Sequence, residues 1–419
     1  MRVLVVGSGA REHCILWKLS QSPLFDRLFC APGNGGTASI AENIPIAATD
    51  CDALVEWASS NLIDFVVVGP EDPLAVGLVD RFDEIGLPAF GPSGNAAAIE
   101  ASKSWAKQLM VRHGIPTAAG AAFTSPNEAK QYLKRQEAPI VVKADGLAAG
   151  KGVIVATSRD EAIDAVTSLM EKGSVASAGS RVVIEEYLEG PEVSVLAFAD
   201  GKTVVPMVPA CDYKRVFDGD QGPNTGGMGC YSPPGFVSRA TLDQTVATIL
   251  EPTIQAMAQE GRPYRGVLYA GLIITRDGPK VLEFNCRFGD PETQAILPRL
   301  GSDLMEIVTA TVRGDLANIN VEWSREVSCG VVLASGGYPG DFSKGHAISG
   351  LDDVGPDALV FHAGTRRQNG SLVTSGGRVL TVVALGQTMA EARNRAYASA
   401  AKISFSGCHY RHDIAAREV

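Results

Sequence analysis

The chain has 419 residues, of which 45% are hydrophobic and 20% are charged, and its formal net charge is −10. This length predicts more than one folding unit and enough apolar residues for a large core. The acidic balance argues against a protein that coats nucleic acid, and no apolar run reaches the roughly 18 residues of a membrane span, so we expect neither partner.

The cysteines give the expected compartment. The sequence has 8 of them, without a Cys-x-x-Cys pair and without histidines at metal-binding spacing. Cysteines in this arrangement are typical of reduced thiols. We therefore expect a cytoplasmic protein without structural disulfides.

The first hundred residues alternate short β-rich runs with helical patterns, as in "RVLVVG", "REHCILWKLSQS" and "DFVVVGP". Such alternation is typical of a parallel sheet with crossover helices. It predicts a half-Rossmann-like domain over residues 1–101.

The segment "GSGARE" after the first strand raises the alternative of a dinucleotide-binding oxidoreductase. Gly7 and Gly9 fit the fingerprint, but Glu12 occupies the position of its third glycine. The second strand ends in "FCAPG", without the acid that would bind a ribose. The pattern therefore disfavours a nicotinamide or flavin enzyme.

From Ser102 the pattern changes to the helix "SKSWAKQLMVRHGIP", which Gly114 and Pro116 should end. Two β-branched runs then flank a glycine-rich loop in "PIVVKADGLAAGKGVIVA". The loop is one residue short of a Walker A motif, has glycine where Ser or Thr would bind Mg²⁺, and leads into a strand. It is suited to covering phosphates, with a purely structural hairpin as the alternative.

Further along, "RVVIEEYLEGPEVSVLAFADG" predicts strand, turn and strand, and "CDYKRVFDGDQGPNTGGMG" is a long polar segment of the kind that usually has a functional reason. The runs "GVLYAGLIIT" and "KVLEFN" predict a hairpin. In its second strand Glu283 and Asn285 should share one face while Phe284 points into the core. Two hard oxygen donors side by side suit Mg²⁺, although a solvated strand end is the alternative.

A β-rich segment with one helix follows from about Ser328. The predicted fold is therefore a mixed α/β and α+β multidomain chain. We expect a substrate-binding domain over 1–101, a central region over 102–327 with a smaller lid at about 118–188, and a small β-rich domain over 328–419.

The order of these motifs resembles the glycinamide ribonucleotide synthetase (phosphoribosylamine–glycine ligase) family of the ATP-grasp ligases. The specific parts are "CDYKR", "NTGGMG" and "NCRFGDPETQ", and the resemblance extends from "VVGSGAREH" to "YRHDI". It implies central ATP-grasp domains and an enzyme of purine biosynthesis. That enzyme would join glycine to 5-phosphoribosylamine, using ATP and Mg²⁺ or Mn²⁺, through a glycyl phosphate.

The resemblance also implies roles for residues at matching positions. Glu283 and Asn285 would hold the metal, and Arg287, Lys143 and Asp212 would serve catalysis. The ATP contacts would be Lys103, Lys143, Gly146, Gly150, Gly152, Glu185, Glu186, Leu188 and Glu192. The substrate contacts would be Gly9, Arg11, Glu12, Asn34, Gly35, Gly36, Asp212, Lys214, Arg215, Arg287 and Asp290.

Two departures from the family pattern and two rival functions remain. Ala10 stands where the family usually has glycine, and "YAGLIIT" lacks the additional acid that related enzymes place on that strand. The rivals are an ATP-grasp ligase or carboxylase with another acid and nucleophile, and a non-catalytic nucleotide-binding regulator. We expect a monomer, with a dimer as the alternative.

Overall fold

The N-terminal region forms a five-stranded sheet with strand order β3-β2-β1-β4-β5, and all its pairings are parallel. The computed structural model describes residues 1–146, 152–172 and 179–419, so the expected loop residue Gly150 lies outside the described residues. The predicted half-Rossmann arrangement is confirmed. The elements are β1 (Arg2–Gly7), α1 (Ala10–Leu19), β2 (Arg27–Pro32), β3 (Glu42–Asn43), α2 (Cys51–Ser60), β4 (Phe65–Val68), α3 (Glu71–Ala75), α4 (Leu78–Glu84), β5 (Ala89–Phe90) and α5 (Gly94–Ala101).

The next segment builds a four-stranded antiparallel sheet in the order β6-β9-β7-β8. Its first helix begins where Ser102 accepts a hydrogen bond from the Trp105 N–H and ends at Gly114, whose φ is 67°, as the sequence predicted. The elements are α6 (Lys103–His113), β6 (Gly120–Phe123), α7 (Pro126–Leu133), β7 (Ile140–Ala144), β8 (Val153–Ala156), α8 (Arg159–Val166) and β9 (Val182–Glu186).

The central sheet has the order β11-β10-β16-β17 and is antiparallel. The predicted hairpin is its β16–β17 pair. The elements of this region are β10 (Glu192–Asp200), β11 (Val204–Pro206), β12 (Cys211–Asp212), β13 (Arg215–Phe217), β14 (Gln221–Asn224), β15 (Gly229–Ser232), α9 (Arg239–Thr245), α10 (Glu251–Gln259), β16 (Arg265–Thr275), β17 (Gly278–Asn285), α11 (Glu292–Ile296) and α12 (Leu304–Arg313).

The last sheet crosses the boundary proposed at residues 327 and 328. Its order is β12-β15-β18-β22-β19, so two strands of the central region complete it. The C-terminal elements are β18 (Val327–Ala334), β19 (Leu359–His362), β20 (Thr365–Gln368), β21 (Ser371–Thr374), β22 (Arg378–Gly386) and α13 (Met389–Ala400).

One hydrophobic core joins the N-terminal sheet to the central sheet. It includes Leu4 and Phe29 from the first and Val195 and Leu268 from the second, all at most 2% exposed. Because this core is close-packed, it fixes the ends of the parallel strands relative to the β16–β17 hairpin. Among the described residues, no helix combines the length and apolar character needed to span a bilayer.

The "PGNGG" turn after β2 packs against the β20–β21 hairpin. The Gly35 N–H donates to the Thr365 carbonyl at 3.0 Å, and a β-carbon on Gly35 would lie 2.4 Å from Leu372 Cδ1. The absence of a side chain at Gly35 therefore permits contact between the N-terminal and C-terminal regions.

We expect Gly35→Ala to lower the free energy of unfolding by about 1–3 kcal/mol, the usual cost of overpacking. Leu372→Ala removes the shortest contact of the added β-carbon and leaves Thr365 Oγ1 at 3.0 Å and Arg366 N at 3.3 Å, so the same glycine substitution should cost less in that background. Denaturant unfolding of the four proteins of this double-mutant cycle measures the difference. An equal cost in both backgrounds would contradict the packing explanation.

Candidate active site

The acid and amide at the end of β17 lie as the strand pattern predicted. Phe284 is 3% exposed and belongs to the core, while Glu283 and Asn285 flank it on the other face. Burial acts to raise the pKa of the Glu283 carboxyl, but Lys214, Lys103, Lys143 and Arg287 together lower it. Glu283 is therefore an anion surrounded by cations, a setting suited to bound phosphates and their counter-ion.

Lys143 and Glu185, two of the expected ATP residues, form a buried ion pair. Lys143 Nζ lies 2.6 Å from Glu185 Oε2 and donates to the Leu282 carbonyl at 2.8 Å. Lys107 Nζ lies 2.5 Å from the other carboxylate oxygen. Sequence reasoning missed Lys107, although it lies four residues after Lys103 on the same helix, a spacing that places both on one face.

Lys103 approaches the glycine-rich loop at its first described end. Its Nζ donates to the Gly146 carbonyl at 2.9 Å. The neighbouring Asp145 carboxylate accepts from the N–H and Oγ of Ser104, at 3.0 and 2.6 Å. The first residues of α6 therefore bind Asp145 and Gly146, where the glycine-rich loop begins. The other end of the loop is Gly152, which is buried and precedes β8.

The residues expected at the adenosine lie at the strand edge after β9. The N–H of Glu186 donates to the Ala119 carbonyl, and its Oε1 accepts from the Ala119 N–H. Leu188 follows in the turn and is half-buried. Glu192, expected at the ribose, is exposed and lies 2.7 Å from Lys214 Nζ, a surface pair that a ligand can displace.

All three nitrogens of the Arg287 guanidinium donate hydrogen bonds to groups of the protein. Its Nε donates to Glu71 Oε2 at 2.9 Å, and its Nη2 donates to Glu100 Oε1 and Asn285 Oδ1, both at 3.0 Å. Glu71 and Glu100 come from helices of the N-terminal domain, and sequence reasoning missed both because nothing in their local sequence marks them. Arg287 thus joins the metal-site strand to that domain.

A second arginine extends this network to the beginning of α1. Arg11 Nη1 lies 3.7 Å from Glu71 and donates to the Phe288 carbonyl at 3.2 Å. Its Nε pairs with Glu12, whose other oxygen accepts from the Gly9 N–H at 2.6 Å. The three expected substrate residues Gly9, Arg11 and Glu12 therefore connect directly to the Arg287 cluster.

The turn with Asn34, Gly35 and Gly36 is more fully bonded than the sequence suggested. Asn34 Oδ1 accepts from the N–H groups of Gly36 and Thr37, and Asn34 Nδ2 donates to the Ser8 and His362 carbonyls. The Gly35 N–H is also occupied. Backbone N–H groups of this turn are thus committed to the protein, so a phosphate bound here needs other donors.

The long polar segment, which we call the polar loop (residues 211–224), brings Asp212 and Lys214 toward this cluster. Burial raises the pKa of Asp212 to about 7, opposed by Lys214 and reinforced by Glu292 and Glu192. The exposed Arg215 instead donates to the Gly222 carbonyl at 2.6 Å, within its own hairpin. The expected substrate role of Arg215 stays a prediction.

Asp290 lies between Gly9 at the start of α1 and Arg378 of β22. Its Oδ2 is 3.1 Å from Arg378 Nη2, and a β-carbon on Gly9 would lie 3.4 Å from the same oxygen. Its Oδ1 accepts from Gln294 Nε2 at 2.7 Å, while Gln294 Oε1 is buried without a hydrogen-bond partner. Arg378 is a further residue that sequence reasoning missed, because it comes from distant β22.

The donor set suits a divalent ion held mainly by its nucleotide. Over residues 1–146, 152–172 and 179–419, no group of three or more His, Cys, Asp or Glu side chains is placed to hold a metal. Glu283 and Asn285 offer one carboxylate and one amide oxygen, and Mg²⁺ commonly takes one or two such donors plus phosphates. To bind the ion, Asn285 Oδ1 would give up the hydrogen bond that it accepts from Arg287.

Comparison with protein families matches three models in chain order. Residues 1–100 match "Phosphoribosylglycinamide synthetase, N domain", residues 101–293 match its "ATP-grasp (A) domain", and residues 328–417 match its "C domain". Two relatives named Phosphoribosylamine--glycine ligase come from Halalkalibacterium halodurans and Vibrio cholerae. They are 52% and 50% identical over 100% of this chain and 97% and 99% of their own length.

Two solved structures resemble this chain. The crystal structure of Phosphoribosylamine--glycine ligase from Thermotoga maritima has a TM-score of 0.88, with 35% identity over 99% of this chain and 100% of its own. The biotin carboxylase domain of Hydrogenobacter thermophilus 2-oxoglutarate carboxylase, complexed with MgADP and bicarbonate, has a TM-score of 0.76. It is 16% identical over 97% of this chain and 91% of its own, so it shows likeness of fold alone.

The acid network predicts a pH dependence of stability. Burial opposes ionisation of Glu71, but Arg287 and Arg11 lower its pKa from 4.5 to about 2. Because the folded-state pKa is depressed, the stabilisation is present above about pH 4.5 and is lost as the pH falls toward 2. We expect Glu71→Gln to be less stable than the unmodified protein at neutral pH, with the gap in unfolding free energy narrowing over this range. A gap independent of pH would contradict the ionic role.

Proposed function

The chain belongs to the phosphoribosylglycinamide synthetase family, and we propose that it activates glycine as glycyl phosphate at the cluster around Glu283. The ligase activity follows from the family: with ATP, glycine is joined to 5-phosphoribosylamine in purine biosynthesis. The observation that carries the location is the placement of Glu283 and Asn285 beside Lys103, Lys143, Lys214 and Arg287.

The ATP-grasp domain implies ATP and a divalent metal. We place the triphosphate between Lys103 and Lys143, with Gly146, Gly150 and Gly152 in the covering loop. Glu283 and Asn285 would hold Mg²⁺, with Mn²⁺ as the alternative ion. When bound, such an ion neutralises the charge of the phosphates.

The same strand edge would bind the rest of the nucleotide. Glu186 ends β9 and Leu188 follows it in the turn, where backbone groups would reach the adenine without a special side chain. Glu192 would exchange Lys214 for the ribose hydroxyls. Glu185 acts differently: its pairing with both Lys143 and Lys107 keeps the phosphate-binding lysine in place.

Glycine activation needs charge neutralisation rather than a nucleophilic triad. A glycine carboxylate oxygen attacks the γ-phosphorus of ATP, ADP leaves, and the product is glycyl phosphate. The fixed cations Lys214 and Arg287 stabilise the negative charges of both reactants. Asp212 would accept hydrogen bonds from the glycine amino group.

The sugar amine then attacks the acyl carbon, and phosphate leaves. We place 5-phosphoribosylamine between the start of α1 and Asp290, with Gly9, Arg11 and Glu12 beside it. The N–H groups in the first turn of a helix are free of intrahelical partners and attract a phosphate; at α1 the Gly9 N–H is already bonded to Glu12, so the N–H groups that follow it would bind the phosphate. Asn34, Gly35 and Gly36 would shape this pocket rather than donate to it, because their groups are already bonded.

Both rival functions are weaker. The likeness to biotin carboxylases is confined to the fold, at 16% and 15% identity for two of them. A non-catalytic regulator would not need cations and an anion placed together for phosphoryl transfer. We propose that the enzyme acts in the cytoplasm as a monomer, with a dimer as the alternative.

The activity has a direct test. Phosphate release from ATP should require Mg²⁺, glycine and 5-phosphoribosylamine together, with glycinamide ribonucleotide formed in equal amount. Measuring both products while omitting one component at a time checks this. Full release with another carboxylic acid in place of glycine would refute the proposal.

Glu283→Gln should raise the Mg²⁺ concentration for half-maximal activity by at least about tenfold, since loss even of outer partners of a metal site costs about 10–100-fold. Its unliganded melting temperature should also fall, because the lowered pKa of Glu283 means that its charge stabilises the folded chain; the Mg²⁺ requirement is therefore the deciding readout. Glu251→Gln, the same change at an exposed helix start, is the matched control. An unaltered Mg²⁺ curve together with a lower melting temperature would make Glu283 a structural acid.

A further inference from the structure

The segment from His409 to Glu418, which we call the C-terminal segment, lies along the polar loop. It contains the "YRHDI" sequence, to which the proposed function assigns no task. We propose that Arg411 is a positioning residue that holds Asp212 and Lys214 at the glycine site. This inference rests on the proposed roles of those two residues.

Arg411 is the centre of the contact. Its side chain is 0% exposed, and its guanidinium carbon lies 4.6 Å from the centre of the Tyr213 ring. Nη1 donates to the Arg215 carbonyl at 3.0 Å and to Asp220 Oδ1 at 2.8 Å. Nε and Nη2 bind the two oxygens of Asp413, at 2.7 and 2.6 Å. One buried cation therefore touches the polar loop at three residues.

Other groups of the C-terminal segment extend the contact along the loop. Asp413 Oδ2 accepts from the Gly219 N–H at 2.8 Å. The His412 N–H donates to Asp218 Oδ1 at 2.7 Å, and His409 Nε2 lies 2.9 Å from the Val216 carbonyl. The structure gives both histidines a bond to this loop.

Alternation explains why this contact reaches the active site. Successive residues of an extended chain point to opposite sides. Cys211 and Tyr213 point toward the C-terminal segment, where Arg417 Nη2 lies 2.6 Å from Cys211 Sγ and the Ala415 N–H donates to the Tyr213 hydroxyl at 3.0 Å. Asp212 and Lys214 therefore point the other way.

Part of the polar loop is held without the C-terminal segment: β12 pairs with β15, and the Thr225 N–H donates to the Lys214 carbonyl at 2.7 Å. The ribbon beyond Lys214 has less support. This two-stranded β13–β14 ribbon pairs with no other strand among the described residues, and an isolated hairpin is marginally stable in water. Fixing the backbone at Arg215 and the ring of Tyr213 fixes the residue between them, Lys214. A small displacement there would separate Lys214 from the Glu283 cluster, to whose charge it contributes.

The test compares Arg411→Lys with Arg395→Lys. Arg395 also binds a carboxylate and a backbone carbonyl, those of Glu391 and Leu385, but its side chain is 41% exposed and its contacts lie outside the polar loop. Lysine keeps the charge and loses the fork that bridges Asp413, Asp220 and Arg215. We expect the KM for glycine to rise about tenfold in Arg411→Lys, as for loss of one hydrogen bond to a charged group. The KM for ATP should rise less, because Lys103 and Lys143 still hold the triphosphate.

Amide hydrogen exchange measures how firmly the polar loop is held, independently of the activity. Amides of residues 211–220 should exchange faster in Arg411→Lys than in Arg395→Lys. Asp220→Asn removes an exposed partner of Arg411 without threatening the core, and should raise the KM for glycine in the same direction. If Arg411→Lys does not fold, Asp220→Asn alone tests the positioning role, by the KM for glycine and by amide exchange at residues 211–220.

The outcomes are distinct. A lower melting temperature with unchanged KM for glycine and unchanged exchange at 211–220 would overturn the positioning role and leave Arg411 a structural residue. Asp212→Asn and Lys214→Ala test the underlying site. If both leave the KM for glycine unchanged while exchange at 211–220 still responds to Arg411→Lys, the assignment of the glycine site fails and the contact stands.

Discussion

The guanidinium of Arg287, whose side chain is 15% exposed, is the constraint on which the arrangement of the site depends. A cation removed from water is tolerated when fixed carboxylates surround it, and breaking such a pair leaves an uncompensated charge. Glu71 and Glu100 supply the carboxylates from the N-terminal domain, while Arg287 follows the strand that carries Glu283 and Asn285. The pairing therefore sets the distance between the proposed metal site and the start of α1. Reactions between two bound substrates depend on that kind of fixed geometry.

Local sequence patterns predicted the elements that local physics determines. Alternating strands and helices indicated the parallel N-terminal sheet, and a serine before and a glycine after "KSWAKQLMVRH" marked the ends of α6. Strand alternation placed Glu283 and Asn285 opposite Phe284. Each of these features depends on side chains within a few residues of one another.

The missed residues are partners across long sequence separations. Glu71, Glu100 and Arg378 come from segments with no motif of their own, and no spacing rule connects them to Arg287 or Asp290. Lys107 could have been found from its helical spacing to Lys103. The "PGNGG" turn shows a different limit: its glycines indicated a tight turn, but sequence does not say whether the freed N–H groups face a ligand or, as here, the protein.

The shared sheet makes the order of synthesis matter. β12, which carries Asp212, pairs with β15, and β15 pairs on its other side with β18. During synthesis β15 leaves the ribosome before β18 and β22 have been made. Until then the N–H and C=O groups along one of its edges are unpaired and can bond to a strand of another chain. The sheet that carries Asp212 can therefore be completed only after β18 and β22 have been made, although β12 and β15 come from the middle of the chain.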